Sequence, residues 1–438
     1  MSRSSGRAHR SAPVRPTPRV AGAMGSLRHP AFWLLIGLLL VGAAQVGAMV
    51  GRASALYPVA MTVALVLFVL YAVPFLVFVD RLDYLEREPP LLLAVAFGWG
   101  GLVATSAAIP GNAALDNLVA KAWSPGFAAR WGPALAGPTV EEPLKLLGVV
   151  VIALLARSQI NSVVDGFVYG AMAGLGFQVV ENVLYAANEV ASAGLGDRTG
   201  PVISVFVARG FVAGPWSHTM FTALAGAGVG YAVVRRERGR LSRYGMALLG
   251  LVGAWAAHFA WNSPVLAGGF GLGVVGQVAA VLIKGIPALL VALALVRAAG
   301  NSEADYYARM LTDEGDPRLA TTAEIEALCS AAKRSAARRE AYARAGWRGA
   351  RAVRRLQSAQ ARLAVELSRG EDAGPVARRR HDVLAARSRL LALADAAGTE
   401  ESTPRRPALP EIAVWVAGAI AAALIAFGLS LVLRVLVR

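Results

Sequence analysis

Cysteine is almost absent from this chain, which has one thiol, Cys329, in 438 residues. A single thiol cannot form an intramolecular disulfide and cannot supply a cysteine-rich metal site. Charged residues are also scarce, at 16% of the chain, whereas apolar residues make up 56%. The sequence has no internal repeat, no phosphate-binding glycine loop and no nucleophilic serine or cysteine motif. A disulfide-stapled scaffold and a P-loop nucleotide enzyme are therefore excluded.

Long apolar segments dominate the chain, and its mean hydropathy is +0.52. A helix needs roughly 20 apolar residues to cross a bilayer. The segments that reach this length are 31–50, 55–79, 90–110, 133–156, 163–186, 202–234, 245–265, 271–296 and 412–433. Segment 202–234 is too long for one straight crossing. Arg209, Gly210, Gly214 and Pro215 interrupt it, so we expect a short or re-entrant piece and then a crossing from about Trp216.

The basic excess of the chain indicates how it lies in the membrane. Its formal net charge is +16, and in membrane proteins such an excess usually lies on the cytoplasmic side, against anionic lipid. Nucleic acid is the less favoured partner. The positive-inside rule places the tail 1–29, the arginine cluster 235–243 and the segment after Arg297 in the cytoplasm. Eight core spans with both flanks cytoplasmic satisfy this pattern.

The same patterns divide the chain into four regions. We expect a disordered basic cytoplasmic tail at 1–29, a membrane core at 30–297, a cytoplasmic arginine- and alanine-rich helical domain at 298–410 and a C-terminal span at 411–438. The core should begin with an uncleaved anchor, because its first apolar run is long for a signal peptide. Within the third region, helices at about 321–369 and 375–397 should fold as a hairpin. Its arginine runs are typical of a solvated face or of contact with lipid headgroups, with nucleic acid or a partner protein as the alternative.

Ionisable side chains inside the apolar spans point to the site. They are Glu141, Glu142, Glu181, His218 and His258. A charged group at a helix centre costs ~2.5–3.5 kcal/mol on the insertion scale, so such residues are rarely incidental. At ~1.5 Å rise per residue, each polar site lies roughly 22–25 Å from the cytoplasmic end of its span. Helices of opposite direction therefore bring these groups into one layer, in the outer third of the membrane.

Neighbouring positions add two polar partners to this set. Glu142 and Lys145 are three residues apart on one helix face, so Lys145 can hold a carboxylate in its charged form. Pro143 suits the first turn of a helix, which predicts that a span opens here. His258 and Asn262 are four residues apart and share a face of a later span.

Each of these sites, taken singly, has a structural alternative. The alternatives are a capping pair at a helix start, a snorkelling side chain, an interfacial aromatic belt and a hydrogen bond between helices. Arg209, in the broken segment, is either a snorkelling charge or a partner of Glu141 or Glu181. The convergence of all the groups on one layer favours a shared site.

These residues resemble the four motifs of the PrsW family. The motifs here are Glu-Glu-x-x-Lys at 141–145, Phe-x-x-x-Glu at 177–181, a later span with His218, and His-x-x-Trp-Asn at 258–262. The resemblance covers about 60–297. It implies an intramembrane protease of a bacterial cell membrane that makes the first cut in membrane-anchored anti-sigma factors, with single-span proteins as substrates and membrane lipid as surroundings. The final glutamate of the second motif favours this family over the related CAAX prenyl endopeptidases.

The chemistry of the residues leaves two mechanisms open. Two adjacent carboxylates repel each other at low dielectric, so Glu141 or Glu142 can take a proton from water as a general base while Lys145 restrains the other. His218, His258 and Asn262 then either bind a metal or donate hydrogen bonds to the oxyanion. Glu181, His218 and His258 match a His₂Glu zinc site in ligand type, but a metal-free glutamate protease is equally compatible.

One other class of function fits intramembrane carboxylates and imidazoles. A proton- or cation-coupled transporter also uses such groups as a relay. Transporters usually carry paired inverted repeats with a broken helix in each half. This sequence has one broken segment, 202–234, and no matching partner for it.

Overall fold

The computed structural model describes residues 30–82, 88–212, 217–368 and 373–397. All regular elements in these ranges are helical, which confirms the predicted all-α fold. The predicted tail at 1–29 and the predicted C-terminal span at 411–438 lie outside the described residues.

The helices up to residue 314 follow one another through short connections. They are α1 (Pro30–Leu56), α2 (Pro58–Leu82), α3 (Pro90–Gly98), α4 (Thr105–Ala122), α5 (Pro125–Leu155), α6 (Val163–Ala193), α7 (Gly200–Val205), α8 (His218–Val234), α9 (Arg240–Asn262) and α10 (Gly273–Glu314). A π-helical turn, Trp99–Ala104, joins α3 to α4, and a second, Phe206–Val212, extends α7. The long segment 202–234 thus contains two separate described helices, with Arg209 in the π-helical turn.

Within the described ranges, six helical segments are long and apolar enough to cross a membrane. They are Pro30–Leu56, Pro58–Val79, Pro90–Ala122, Val163–Ala193, Arg240–Asn262 and Val275–Glu314, and Gly200–Gly210 and His218–Val234 are shorter apolar helices. α5, which carries Glu141, Glu142 and Lys145, is not among the six. The chain is a multi-pass membrane protein, and its count of eight core spans stays a prediction.

Helix α6 lies at the centre of the membrane region and is buried along most of its length. Its glycines bring α8 close: a Cβ built at Gly174 would lie 2.1 Å from the carbonyl oxygen of His218, and one at Gly170 would lie 2.3 Å from that of Thr222. Small residues allow such backbone approach between membrane helices. The glycines therefore fix the first turn of α8, and with it His218, directly against α6.

Residues 303–397 belong to a second compact unit, together with 235–242. After α10 it contains α11 (Thr322–Leu328), α12 (Ala331–Ser368) and α13 (Ala373–Ala397). α12 packs along α13, as the predicted hairpin requires. The predicted single helix at 321–369 is wrong, because the chain leaves the helix at Cys329–Ser330 and α12 is itself broken at Ala345–Gly346. The predicted domain boundaries stay predictions.

Candidate active site

The paired glutamates lie in the interior of α5 and not at its start. Ser124 caps this helix by accepting a hydrogen bond from the backbone N–H of Phe127, and Pro125 occupies the first helical turn. The prediction that a span opens at Pro143 is therefore wrong, since the helix begins 18 residues earlier. Glu141, Glu142 and Lys145 are all buried, and Glu142 and Lys145 are fully inaccessible.

Lys145 lies at the centre of the polar cluster. Its Nζ is 2.6 Å from Oε1 of Glu142, 3.5 Å from Oε2 of Glu141 and 3.0 Å from Nδ1 of His218. The ring of Phe177 covers the ammonium group, with its centroid 4.4 Å from Nζ. The predicted Glu142–Lys145 pair is present, and the same cation also contacts the other glutamate and an imidazole from α8.

His218 bridges Lys145 and Glu181. An ammonium group has no acceptor, so Nδ1 of His218 accepts from Lys145 and the proton resides on Nε2. That nitrogen lies 3.0 Å from Oε2 of Glu181 and donates to it. The hydrogen-bond network thus assigns one tautomer to His218 and leaves both of its ring nitrogens engaged.

Glu181 is shared between His218 and Arg209. The Arg209 guanidinium lies 2.5 Å from Oε2 of Glu181, donates through Nε to Asn182 over 2.7 Å and stacks on the Tyr185 ring. Of the alternatives that the sequence left open for Arg209, pairing with Glu181 is the one present. A π-helical turn often marks a functional position, and here it holds the arginine that neutralises Glu181.

His258 takes the second imidazole position, from α9. Its Nδ1 lies 2.8 Å from Oε1 of Glu142, and its Nε2 lies 3.0 Å from the side-chain nitrogen of Asn262. Nδ1 therefore donates to the carboxylate, and Nε2 accepts from the amide. Asn262 also donates to the carbonyl of Pro133 over 3.0 Å, which ties the end of α9 to α5. The His258–Asn262 pair predicted from their spacing is present.

Two side chains of the site were not predicted from the sequence. Thr222 donates to Oε2 of Glu142 and Asn112 donates to Oε1 of Glu141, each over 3.0 Å. Thr222 follows His218 by four residues, so its helix face could have indicated it. Asn112 is a polar residue within an apolar stretch, but nothing in its neighbourhood connects it with α5.

Four of these residues could hold a metal ion. One donor atom each from Glu141, Glu142, His218 and His258 lie within 4.8 Å of one another, and all four residues are buried. The sequence had placed Glu181 in the ligand set. In the structure Glu181 accepts a hydrogen bond from Nε2 of His218. Residues that bond to the second nitrogen of a metal-binding histidine commonly orient its ring, and Glu181 can do the same here.

The backbone of Gly137 lies against the cluster. A Cβ built at this position would lie 3.2 Å from the Asn262 amide nitrogen, 3.6 Å from Oε1 of Glu141 and 3.6 Å from Nε2 of His258. A side chain here would enter the polar cluster. The donor set fits a hard or borderline metal ion, and it also suits hydrogen bonding to a substrate carbonyl.

The geometry agrees with a comparison of the chain with known proteins. A family model described as PrsW family intramembrane metalloprotease matches residues 88–291, a range that contains every predicted site residue. No curated protein and no solved structure gives a match. The family match favours the peptidase hypothesis over the transporter. Residues 88–291 are thus similar to the PrsW family, and the chain is a multi-pass membrane peptidase whose substrates are membrane proteins.

Proposed function

We propose that this peptidase cleaves single-span membrane proteins, of the kind represented by anti-sigma factors in a bacterial cell membrane, through a water molecule activated by Glu141. The observation that carries the proposal is the convergence of two carboxylates, two imidazoles and Lys145 from α5, α8 and α9 in one buried cluster. None of the described side chains of this cluster is a serine or cysteine, which supports water as the attacking group.

The two glutamates differ in their partners, and this difference supports Glu141 as the base. Glu142 has three close partners: Lys145 and His258 each donate to one oxygen, and Thr222 donates to the other. Oε2 of Glu141 instead has three looser neighbours, Lys145 at 3.5 Å, Nδ1 of His218 at 3.7 Å and Nε2 of His258 at 4.0 Å. Separations above 3.5 Å between polar groups suit a bridging water. A water there contacts the carboxylate that takes its proton.

The remaining residues orient the base and stabilise the developing charge. Lys145, held by Glu142, would place a positive charge next to the reacting carbonyl oxygen, and the Asn262 amide contributes a second donor at the same cluster. Donors that are already in place stabilise an oxyanion without reorganisation. Arg209 and Glu181 fix His218 from behind.

The family description includes a metal, and the residues fit one. Glu141, Glu142, His218 and His258 offer the carboxylate and imidazole donors that zinc prefers. A metal ion in this cluster would supply a Lewis acid that polarises the scissile carbonyl. Lys145 donates to Nδ1 of His218, so the ion and Lys145 compete for that nitrogen.

Aromatic side chains support a site close to one membrane surface. Trp123, Phe127, Trp131, Phe259 and Trp255 form a series of stacked rings that starts at the α4–α5 connection and ends next to His258. Aromatic belts mark membrane interfaces. The charge pattern of the sequence assigns this interface to the extracytoplasmic side, so we expect cleavage near that face.

The cut site in the substrate tests this proposal. New protein termini should be mapped in membranes of cells that produce the wild type or the Glu141→Gln variant, with Glu189→Gln on the exposed end of α6 as the matched control. We expect wild-type-dependent cuts inside single spans, in their extracytoplasmic third, and the same cuts with Glu189→Gln. Cuts confined to the cytoplasmic third, or to proteins without a span, would contradict the proposal.

Metal content is a separate expectation. If zinc is the ion, purified protein should carry about one zinc per chain, and chelation should remove activity that zinc restores. His218→Ala and His258→Ala should lose the bound zinc, whereas Glu181→Gln should keep it, because Glu181 only orients His218. Elemental analysis measures this independently of activity. Fully active protein without a transition metal would establish the metal-free glutamate mechanism instead.

A further inference from the structure

Two acceptor atoms on α4 have no hydrogen-bond partner among the residues that the structure describes. They are the side-chain oxygens Oδ1 of Asn112 and Oδ1 of Asp116, and both atoms are buried. The two residues are four apart and share one face of the helix. A buried acceptor without a donor is unfavourable, so two such atoms on one helix face indicate that a donor such as water binds there.

The two oxygens lie along one side of the active site. Asn112 directs its amide nitrogen to Oε1 of Glu141 over 3.0 Å, so its free oxygen is next to the proposed base. Asp116 lies one turn away against α5, where a Cβ built at Gly132 would be 2.5 Å from its free oxygen. The neighbouring Pro133 carbonyl accepts from Asn262. The acceptors therefore lead along α5 towards the cluster.

Hydrolysis makes a demand that this arrangement meets. Each cleaved peptide bond consumes one water: its oxygen bonds to the acyl carbon, the C–N bond breaks, and its protons end on the new amine and carboxyl groups. The hydrocarbon core holds no water to replace the one consumed. Buried waters in proteins typically bind 2–4 otherwise unsatisfied polar groups. The side-chain oxygens of Asp116 and Asn112 are one helical turn apart, and Asn112 is next to Glu141. Two such acceptors can bind water molecules along a path to the base.

We infer that Asp116 and Asn112 bind water and form the route by which the hydrolytic water reaches Glu141. The inference rests on the proposed water mechanism. Asn112 combines two roles, since its nitrogen holds the base and its oxygen accepts the arriving water. Asp116 is the outer step of the route, nearer the α4–α5 connection.

Cysteine labelling tests the route without any need for cleavage. Asn112→Cys and Asp116→Cys are made in a Cys329→Ser background, with Ile109→Cys and Leu118→Cys as controls, because Ile109 and Leu118 are exposed apolar side chains of the same helix. A small charged thiosulfonate reacts with thiolate, which forms in water and not in hydrocarbon. We expect the cysteines at 112 and 116 to react ~10-fold faster or more than the controls. Equal rates at all four positions would overturn the inference.

Kinetics of two Asp116 variants give a second readout. Asp116→Leu removes the acceptor and should lower kcat ~10-fold with little change in KM, since substrate binding does not use the route. Asp116→Asn keeps an oxygen and should lose less. An Asp116→Leu enzyme with wild-type kcat would contradict the water route. Slow labelling in an active enzyme would sink only this inference, whereas fast labelling in a protein that cleaves nothing would sink only the proposed function.

Discussion

Glu141→Gln should abolish cleavage, with kcat reduced ~10²-fold or more, while the protein stays inserted and folded. The amide cannot take a proton from water, yet it preserves the size of the side chain and can still accept from Asn112. Activity is measured with purified protein and a single-span substrate identified by terminus mapping. Glu189→Gln, the same change at an exposed position of α6, should retain wild-type kcat.

The other site residues should also be required, for different reasons. Glu142→Gln, Glu181→Gln, His218→Ala and His258→Ala are each expected to lose cleavage, because each removes a partner from the network around Lys145. Only Glu141→Gln should lose activity without a fall in thermal stability, since Glu142 is the carboxylate with three close hydrogen-bond partners in the fold. Full activity in both Glu141→Gln and Glu142→Gln would contradict the proposal that a glutamate activates the water.

Lys145→Met should both inactivate the protein and destabilise it. Removing one partner of a buried ion pair leaves an uncompensated charge and typically costs about 3–5 kcal/mol. Here the loss leaves Glu141 and Glu142 buried without their shared cation. Thermal unfolding in detergent, with chelator present so that no ion replaces the ammonium group, measures the effect. Lys121→Met, at an exposed position of α4, should leave the unfolding midpoint within a few degrees of wild type.

A double variant separates the structural role of Lys145 from its catalytic one. Lys145→Met combined with Glu142→Gln removes both members of the 2.6 Å pair. The double variant should recover a large part of the stability that Lys145→Met loses, because residues in one network couple by 0.5–3 kcal/mol or so. Cleavage should not return. If Lys145→Met unfolds at the wild-type temperature, Lys145 is not the counter-charge of the glutamates.

The helical membrane class and most of the site could be predicted from sequence because bilayers constrain sequence strongly. A span must be apolar, so every ionisable exception is visible, and the helical rise gives its depth without knowledge of packing. Glu141, Glu142, His218 and His258 were found in this way, and they meet in space. Short-range pairs were also predictable, since Glu142–Lys145 and His258–Asn262 share a helix face.

The start of α5 was not predictable from Pro143. Proline marks helix starts statistically, yet α5 contains prolines at 133, 138 and 143 and runs through all three. The helix starts where it does because Ser124 caps its first turn. The break at Cys329–Ser330 in the second unit was missed for a related reason: alanine- and arginine-rich sequence favours helix on both sides of it.

The sequence by itself determined that this protein lies in a membrane, that it is helical and which chemical groups its site contains. It could do so because hydropathy and the cost of burying a charge are properties of single residues. Only the tertiary structure decided which partner each group has. Glycines in α6 set the distance to α8, and that distance places His218 between Lys145 and Glu181. The different partners of Glu141 and Glu142, the pairing of Arg209, and the contact of Asn112 with Glu141 all depend on side chains from different helices meeting within about 3 Å. Contacts of that kind depend on which helices pack together and in what register, and spacing within one helix does not specify either.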